Sequence, residues 1–313
     1  MGAYRHEYDG AALILMSGQE RSLLVKINTN KGLRAVTFSA NGEYLLSSGL
    51  DQNVGVWRVQ DGQRVATINA EDVLCLAVSK NGKWIAGGTL WGEVFVLDAE
   101  TYETVWKHRD RENYRNIAAV DFSSDSRKLV SASWNRTATI WDVASGETVR
   151  TLCHKQGLIV ARYSLDGDRI ATAIYNGSVQ VWDSNGGHLL VDIPVTSLCN
   201  NGILWFNDYL YVVCGSAMKE LDPSTGSIIT EWPIPGDKIC SPIAIPVRGT
   251  FIAYSTGQTL TLWDMVSHTQ LGLIEHHGDI NPITLSPGNR FYAIGREDGT
   301  IITKGISHIM VST

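Results

Sequence analysis

The chain has 313 residues, with 32 acidic and 26 basic side chains, a formal charge of −6 at pH 7 and 44% hydrophobic residues. This composition excludes an intrinsically disordered chain, because so apolar a sequence can bury enough surface to offset the entropy lost on ordering. The longest clean apolar run covers residues 11–16, which is far short of the roughly 18 residues of a membrane-spanning helix.

The amino-terminal residues and the cysteines indicate a reducing compartment. Residues 1–7 lack the basic and then apolar pattern of a secretory signal. The five cysteines are odd in number and widely spaced, without a Cys-x-x-Cys pair, so they predict neither a disulfide framework nor a zinc site. We therefore expect the protein in the cytoplasm or the nucleus, with its cysteines acting as small buried hydrophobic residues.

Two independent markers recur along the chain with a period of about 41 residues. One is a turn dipeptide between two short apolar runs, and the other is the last residue of an alternating run. The turn markers are Asn41-Gly42, Asn81-Gly82, Asp125-Ser126, Asp166-Gly167, Asn207-Asp208, Arg248-Gly249 and Pro287-Gly288. The strand-end markers are Leu15, Trp57, Leu97, Trp141, Trp182, Leu221, Trp263 and Lys304. A shared period in two unlike markers predicts a repeat architecture.

Each repeat has the features of short β-strands. Turn dipeptides such as Asn41-Gly42 supply the positive φ that two-residue hairpins require. The runs that follow, such as residues 44–46 and 251–253, are short and rich in β-branched or aromatic side chains. Because no stretch sustains a period of 3.6 residues, the sequence predicts an all-β chain.

The strand-end tryptophans carry a resemblance to a known family. Trp57-Arg58, Trp141-Asp142, Trp182-Asp183 and Trp263-Asp264 resemble the Trp-Asp ending of WD40 repeats, whose unit of about 40 to 45 residues forms one four-stranded blade of a β-propeller. The resemblance covers nearly the whole chain and implies a single propeller domain over residues 1–313. Segments such as residues 141–146 are most similar to segments of WD40 proteins from filamentous fungi.

The ends of the repeat array predict seven blades. Seven turn markers stand against eight strand-end markers, so the amino-terminal segment contributes a partial repeat, with residues 11–16 and 23–27 as its last two strands. We expect the strand over 23–27 to close the ring beside the last blade, because an open sheet edge would expose unpaired backbone groups. One surplus strand then lies near this seam.

The resemblance also implies a buried hydrogen-bonded set of His, Ser or Thr, Asp and Trp in each repeat. The His position holds histidine only at His154 and His276, and no repeat keeps all four groups. The Asp position holds Asp51, Trp91, Asn135, Asn176, Gly215, Gly257 and Asp298. Since a buried polar set is favourable only when it is satisfied, we expect stability to depend on apolar packing.

No motif of a common enzyme class is present. The sequence lacks Gly-x-Gly-x-x-Gly, the P-loop, Gly-x-Ser-x-Gly and His-Glu-x-x-His. Ser216 and Lys219 match Ser-x-x-Lys, but residues three apart on a strand point in opposite directions. Residues 275–279 could supply metal ligands, yet His276 occupies a repeat position. We therefore expect no catalytic residue, no metal and no cofactor.

The most basic stretch, residues 107–111, is the candidate for nucleic-acid binding. Its acidic neighbours and the net negative charge oppose this function, because phosphate binding needs an uncompensated basic face. The sequence therefore predicts a solvated connecting loop here.

A partner site is predicted from the residue before each Asp position, which the resemblance places in the turn between the second and third strands, on the rim of one face. In the first four repeats these residues are large and apolar: Leu50, Leu90, Trp134 and Tyr175. In the last three they are Cys214, Thr256 and Glu297. We expect the first four to form an apolar crescent that binds a partner, with Arg34 and Asn116 as polar contacts at its inner border. In the alternative, the aromatic residues pack over adjacent turns.

These features predict a non-enzymatic interaction scaffold. The chain would bind a protein or peptide on the rim and mouth of one propeller face, and neither nucleic acid nor a membrane. The alternative is a ligand-sensing propeller that binds a small molecule or a glycan in its central cleft as part of a larger receptor.

Overall fold

The computed structural model describes residues 13–15, 24–29, 32–50, 52–109, 115–175, 177–195, 198–214, 217–233 and 250–306. Within these residues the chain forms 28 β-strands and no α-helix. The strands are arranged in seven sheets, which are the blades of a seven-bladed β-propeller. The predicted fold class is confirmed.

The strands follow one another blade by blade in chain order. Two strands precede the first blade: β1 (Leu13–Leu15) and β2 (Leu24–Asn28). Blade 1 contains β3 (Leu33–Phe38), β4 (Tyr44–Gly49), β5 (Asn53–Arg58) and β6 (Arg64–Asn69). Blade 2 contains β7 (Val73–Val78), β8 (Trp84–Thr89), β9 (Glu93–Asp98) and β10 (Thr104–Arg109). Blade 3 contains β11 (Ile117–Phe122), β12 (Lys128–Ser133), β13 (Thr137–Asp142) and β14 (Thr148–Cys153).

The remaining blades continue this order. Blade 4 contains β15 (Leu158–Tyr163), β16 (Arg169–Ile174), β17 (Ser178–Asp183) and β18 (Leu189–Pro194). Blade 5 contains β19 (Leu198–Phe206), β20 (Tyr209–Cys214), β21 (Ala217–Leu221) and β22 (Ile228–Pro233). Blade 6 contains β23 (Phe251–Thr256), β24 (Thr259–Asp264) and β25 (Thr269–Glu275). Blade 7 contains β26 (Ile280–Leu285), β27 (Phe291–Arg296) and β28 (Thr300–Gly305).

Burial within a blade explains why these sequences form a propeller. The first strands β3, β7, β11 and β15 contact one another in succession, so they lie innermost. The second and third strands, such as β4 and β5, are buried at four or five consecutive positions because neighbouring blades cover both of their faces. The fourth strands, such as β10, are mostly exposed. The apolar runs of each repeat therefore form the layers between the blades.

The amino-terminal strand closes the ring as predicted. Strand β2 pairs antiparallel with β28, with Val25 opposite Thr303 and Ile27 opposite Ile301. Both Val25 and Ile27 are buried. Strand β1 pairs with the far side of β2 and adds a fifth strand to blade 7. The last blade is therefore built from both ends of the repeat array.

The loops between first and second strands differ from the prediction. Positive φ is confirmed at Gly42, Gly82 and Gly167, but most of these loops have five residues rather than two. In each five-residue loop the first residue is a serine, and in blade 2 the Ser79 Oγ accepts the Trp84 N–H at 2.9 Å. The equivalent serines are Ser39, Ser123, Ser164 and Ser286. Among the described connections between first and second strands, Asn207-Asp208 alone forms a two-residue hairpin.

Three of the strand-end tryptophans are held by a hydrogen bond to the second strand of their own blade. Their indole N–H groups donate to a hydroxyl ten residues earlier, over 2.8 to 3.0 Å: Trp57 to Ser47, Trp141 to Ser131 and Trp182 to Thr172. The equivalent residue for Trp263 is Ala253, and the buried Trp263 Nε1 has no partner among the described residues. The family's polar set is therefore only partly kept, as the sequence predicts.

Blade 4 keeps the most complete set. His154 Nε2 lies 2.9 Å from Thr172 Oγ1, and its Nδ1 lies 3.1 Å from the Leu152 carbonyl oxygen. Burial lowers the pKa of His154 to about 4, so the neutral imidazole donates from Nδ1 and accepts at Nε2. Asn176, at the Asp position, lies outside the described residues.

The cysteine prediction is partly wrong. Cys214 is buried and Cys75 is partly buried, whereas Cys153 is exposed. Cys153 ends the outermost strand of blade 3, and that strand has only one face against the protein.

We expect deletion of residues 1–28 to destabilise the whole ring, because it removes β2 and leaves the edge of β28 open. Deletion of residues 1–16 is the matched control, since it removes β1 and keeps β2. The Ile27→Ala variant should lower the free energy of unfolding by about 2–5 kcal/mol, whereas exposed Lys26→Ala should have little effect. Thermal unfolding and size-exclusion chromatography measure these changes. An unchanged melting temperature and solubility without residues 1–28 would contradict the closure.

We also expect stability to fall as the pH is lowered from about 6.5 to about 4. The pKa of His154 is lowered from 6.5 to about 4 by burial, so the unfolded chain binds a proton in this window that the folded chain does not, and folding weakens as protons are added. The His154→Gln variant should lose less melting temperature across this window than wild type. His188→Gln, in an exposed turn, is the control and should retain the wild-type pH dependence.

Candidate functional site

One face of the propeller carries the turns between second and third strands, and we call it the upper face. Backbone hydrogen bonds attach the first residue of each turn to the segment that leads into the innermost strand of the same blade. These bonds are 2.9 to 3.0 Å long and join Leu50 N to Gly32 O, Leu90 N to Asp72 O, Trp134 N to Asn116 O and Tyr175 N to Gly157 O. The four predicted crescent residues therefore occupy equivalent positions on four successive blades.

Trp134 and Tyr175 lie together on this face, and we call them the aromatic pair. Their ring centroids are 4.9 Å apart at an interplanar angle of 41°. Trp134 also lies over Gly157, where a Cβ atom would be 3.2 Å from the Trp134 Cα atom. Both rings remain accessible, with 36% of Trp134 and 44% of Tyr175 exposed. The aromatic pair thus packs over an adjacent turn and still presents apolar surface to solvent.

The other four predicted residues lie on blades 1 to 3. Leu50 is 52% exposed, and Leu90 is half-buried. Arg34 is the second residue of β3, beside the turn that holds Leu50, because Leu33 pairs with Gly49. Asn116 immediately precedes β11, and both Arg34 and Asn116 are half-buried. Strand β7 separates these two residues, so they flank the innermost strand of blade 2.

The equivalent residues of the later repeats do not extend this surface. Cys214 is the last residue of β20 and is buried, and Thr256 is the last residue of β23. Their predicted placement in turns is therefore wrong by one residue. Glu297 does lie in the turn between β27 and β28, and its side chain is charged. The large apolar residues of these turns are thus confined to blades 1 to 4.

Trp91 is a surface residue that the sequence argument missed. It is 47% exposed, and its Nε1 donates to Asp72 Oδ2 over 2.9 Å. Trp91 lines a cleft of about 530 Å³ between blades 1 and 2. The other lining residues are Gln52, Asn53, Asn69, Ala70, Glu71, Thr89, Glu93, Lys107 and Arg109. In the sequence, the sign of this surface residue is a tryptophan at the Asp position of the second repeat. We interpret that position only as one where the second repeat lacks the aspartate of the buried polar set.

The basic stretch begins in a strand rather than in a loop. Lys107 and Arg109 belong to β10 and line the cleft between blades 1 and 2, where Glu71 and Glu93 lie as well. His108, which lies between Lys107 and Arg109 in the sequence, contacts Trp141, and their ring centroids are 4.9 Å apart. Residues 110 and 111 lie outside the described residues. The prediction of a connecting loop is therefore wrong for residues 107–109.

The described residues considered as metal ligands or as part of a Ser-x-x-Lys pair do not come together in a site. Within the described ranges, no group of three or more His, Cys, Asp or Glu side chains is placed to hold a metal ion. His276 is buried, with its Nε2 3.5 Å from the Tyr292 hydroxyl, and burial lowers its pKa to about 4. Ser216 lies outside the described residues, and Lys219 forms an ion pair with Glu231 at 3.3 Å.

A family model for the WD40 repeat, described as WD domain, G-beta repeat, matches residues 21–58, 62–98 and 106–142. Each match starts in the fourth strand of one blade, counted from the innermost, and continues through the first three strands of the next, as 21–58 does from β2 to β5. The sequence repeat is therefore offset from the blade by one strand, which explains why β2 completes blade 7. Three WD40 repeats are thus found within residues 21–142, and the third ends in the predicted Trp141-Asp142.

Several proteins from plants, animals and fungi are similar to this chain. Autophagy-related protein 16 of Arabidopsis thaliana is 25% identical over 199 residues, covering 61% of this chain and 38% of that protein. Eukaryotic translation initiation factor 3 subunit I of Neurospora crassa is 23% identical over 327 residues, covering 92% and 89%. COMPASS component SWD3 of Saccharomyces cerevisiae is 29% identical over 180 residues, covering 50% and 56%.

The chain thus spans less than two thirds of the length of autophagy-related protein 16 and of SWD3, and most of the length of the initiation factor subunit. The narrower resemblance to proteins of filamentous fungi stays a prediction, because similar proteins also come from plants and animals. Among the described residues, no helix is long and apolar enough to cross a membrane.

We expect binding to generic duplex DNA or RNA to be negligible at physiological salt. Lys107 and Arg109 share their cleft with Glu71 and Glu93, and the net charge of −6 repels phosphates at longer range. Fluorescence anisotropy with a labelled duplex at two salt concentrations measures this. Micromolar or tighter affinity with a steep salt dependence would reveal an uncompensated basic face.

Proposed function

We propose that the chain is a non-enzymatic scaffold that binds a protein or peptide partner on its upper face, through the crescent formed by Leu50, Leu90, Trp134 and Tyr175. A protein-interaction scaffold is the class of function that the WD40 propeller supports, and two relatives are named as a subunit and as a component of an assembly. The proposed setting is the cytoplasm, in line with the similarity to a translation initiation factor subunit.

The observation that carries this proposal is the exposure of the aromatic pair. The strand-end tryptophans Trp57, Trp141 and Trp182 are buried between blades, which accounts for their presence as framework. Trp134 and Tyr175 keep more than a third of their surface accessible. Exposed apolar surface of this kind marks interfaces, and Trp and Tyr are favoured as the anchors that supply most of the binding energy.

The rigidity of the upper face supports the same function. Each crescent residue begins a turn whose backbone N–H is fixed to the preceding segment at 2.9 to 3.0 Å. A surface that is already ordered loses little conformational entropy on binding, so more of the contact energy appears as affinity. Arg34 and Asn116 lie beside the crescent on blades 1 and 3, where they supply polar groups at its inner border.

The ligand-sensing alternative has no support in the comparisons. Relatives that cover 92% of this chain include subunit I of eukaryotic translation initiation factor 3 from two fungi. The cleft of about 530 Å³ between blades 1 and 2 is lined by mixed charges. We therefore propose no second function.

We expect the double variant Trp134→Ala with Tyr175→Ala to abolish partner capture, with a loss of about 2 kcal/mol or more of binding free energy for a true anchor. Its melting temperature should fall by only a few degrees, because an aromatic contact contributes about 0.5–1.5 kcal/mol. Affinity capture from the native cell and thermal unfolding measure the two effects.

The matched control is Leu165→Ala with Tyr209→Ala. These residues are also exposed and on adjacent blades, but they lie on the opposite face, so capture should persist. A large loss of stability in the Trp134 and Tyr175 variant with binding retained would assign the aromatic pair to the framework, and the crescent would then be abandoned.

A further inference from the structure

Exposed cationic residues lie close to the aromatic pair along the backbone. Arg115 immediately precedes Asn116, whose carbonyl oxygen accepts the Trp134 N–H at 3.0 Å. Arg136 follows Trp134 by two residues in the same turn. Both arginines are exposed, so two segments of blade 3 that meet at Trp134 each carry a cationic side chain.

A third cation lies in the segment that leads from blade 3 into blade 4. The Arg136 carbonyl oxygen accepts the His154 N–H at 2.9 Å, which places exposed Lys155 directly beside the turn of Arg136. Two residues further on, Gly157 lies beneath Trp134. The segment that carries Lys155 is thus fixed at both ends to the turn that holds the tryptophan.

These cations have no acidic neighbour in the segments that carry them, as far as the structure describes those segments. Residues 115–116, 134–136, 154–157, 175 and 177–178 contain no Asp or Glu, and Asp110 and Glu112 lie outside the described residues. The two ion pairs found in the described part of the chain, Arg58 with Asp61 and Lys219 with Glu231, lie elsewhere. The described segments that carry Arg115, Arg136 and Lys155 therefore contribute positive charge and no carboxylate to this part of the upper face.

Arg136 occupies a conformation that favours glycine. Its φ is 75°, and the equivalent turn residues are Gly92 with φ 78° and Gly299 with φ 81°. Gln52 is a further non-glycine residue at this position, with φ 62°. A side chain in this left-handed region costs steric energy, and such outliers concentrate at functional sites. The arginine thus brings a charge to the upper face at a conformational cost.

A cleft on the opposite face carries more acidic than basic side chains. It has a volume of about 360 Å³, lies between blades 4 and 5, and is lined by Asp166, Asp208 and Asp222 and by one cation, Arg169. An acidic ligand would be repelled there and attracted to the upper face of blades 3 and 4. Such complementarity selects partners and suppresses wrong ones.

Resting on the proposed function, we infer that the partner segment is an acidic peptide with a bulky apolar anchor. The anchor packs on the aromatic pair, and Asp or Glu carboxylates on either side of it pair with Arg115, Arg136 and Lys155. A nucleic acid fits this surface less well. Three cations are fewer than the roughly 6–10 phosphate contacts of a protein that binds duplex DNA with a steep salt dependence.

The first test is selection of a random peptide library on the wild-type protein, with counter-selection on the Trp134→Ala and Tyr175→Ala double variant. Enriched peptides should combine Asp or Glu with a Leu, Phe or Trp core. Their affinity should fall about tenfold or more when each Asp and Glu is replaced by Asn and Gln, and it should weaken as salt rises.

Charge reversal on the protein isolates the cations. Arg136→Glu with Lys155→Glu should weaken binding of the selected peptide by about tenfold or more. Lys83→Glu with Arg127→Glu, two exposed residues in loops of the opposite face, is the matched control and should leave the affinity within about twofold. Arg136→Gly should also weaken binding while its melting temperature stays equal to wild type or rises, because glycine removes the cost of the left-handed turn.

The outcomes separate the two proposals. If selected peptides require the aromatic pair but bind equally well as neutral analogues or to the charge-reversed protein, the scaffold function stands and the acidic partner is wrong. If no peptide enriches on wild type over the aromatic double variant, the crescent itself is wrong. Tighter binding of a single-stranded oligonucleotide than of any selected peptide would overturn the peptide inference in favour of nucleic acid.

Discussion

The antiparallel pairing of β2 with β28 is the constraint on which the rest of the molecule depends. It joins residues 25–28 to residues 300–303 and closes the edge of blade 7. Each blade buries its second and third strands against two neighbours, so a gap at one seam would expose apolar layers on both sides. The upper-face turns keep their relative positions only while the ring is closed, and the arrangement of the proposed binding surface therefore depends on a contact made in blade 7.

Much of this fold can be predicted from the sequence because the residues that determine it are local and repeated. The turn dipeptides and strand-end residues recur with one period, and the unmatched first marker predicts that a strand before blade 1 completes blade 7. The two-residue hairpins were predicted wrongly because a serine at the start of the loop, such as Ser79, supplies a hydroxyl that stabilises a longer turn. The dipeptide sets the sign of φ, and the serine sets the length of the loop.

The candidate site could be predicted only in part. The sequence identifies Trp134 and Tyr175 as equivalent turn residues, but their contact at 4.9 Å joins two blades and depends on how the blades pack. Arg136 and Lys155 are brought together by a backbone hydrogen bond that continues the β13–β14 ladder of blade 3, and the strand register that makes this bond is not visible in the repeat pattern. Trp91 was interpreted as a lost framework residue because the pattern indicates which position is changed and not whether the new side chain reaches solvent.

The seam has a consequence for how the protein is made. Thr29 donates its hydroxyl to the carbonyl oxygen of Gly299, 270 residues later in the chain. A ribosome adds about 5–20 residues per second, so β2 emerges tens of seconds before the strand that it must pair with. During that interval β2 can pair with β1 and pack on blade 1, but its other edge has no strand to pair with, and blades 1 to 6 are synthesised around an unclosed end. That edge is covered only when translation reaches β28, so the ring can close only after nearly all of the chain has been made.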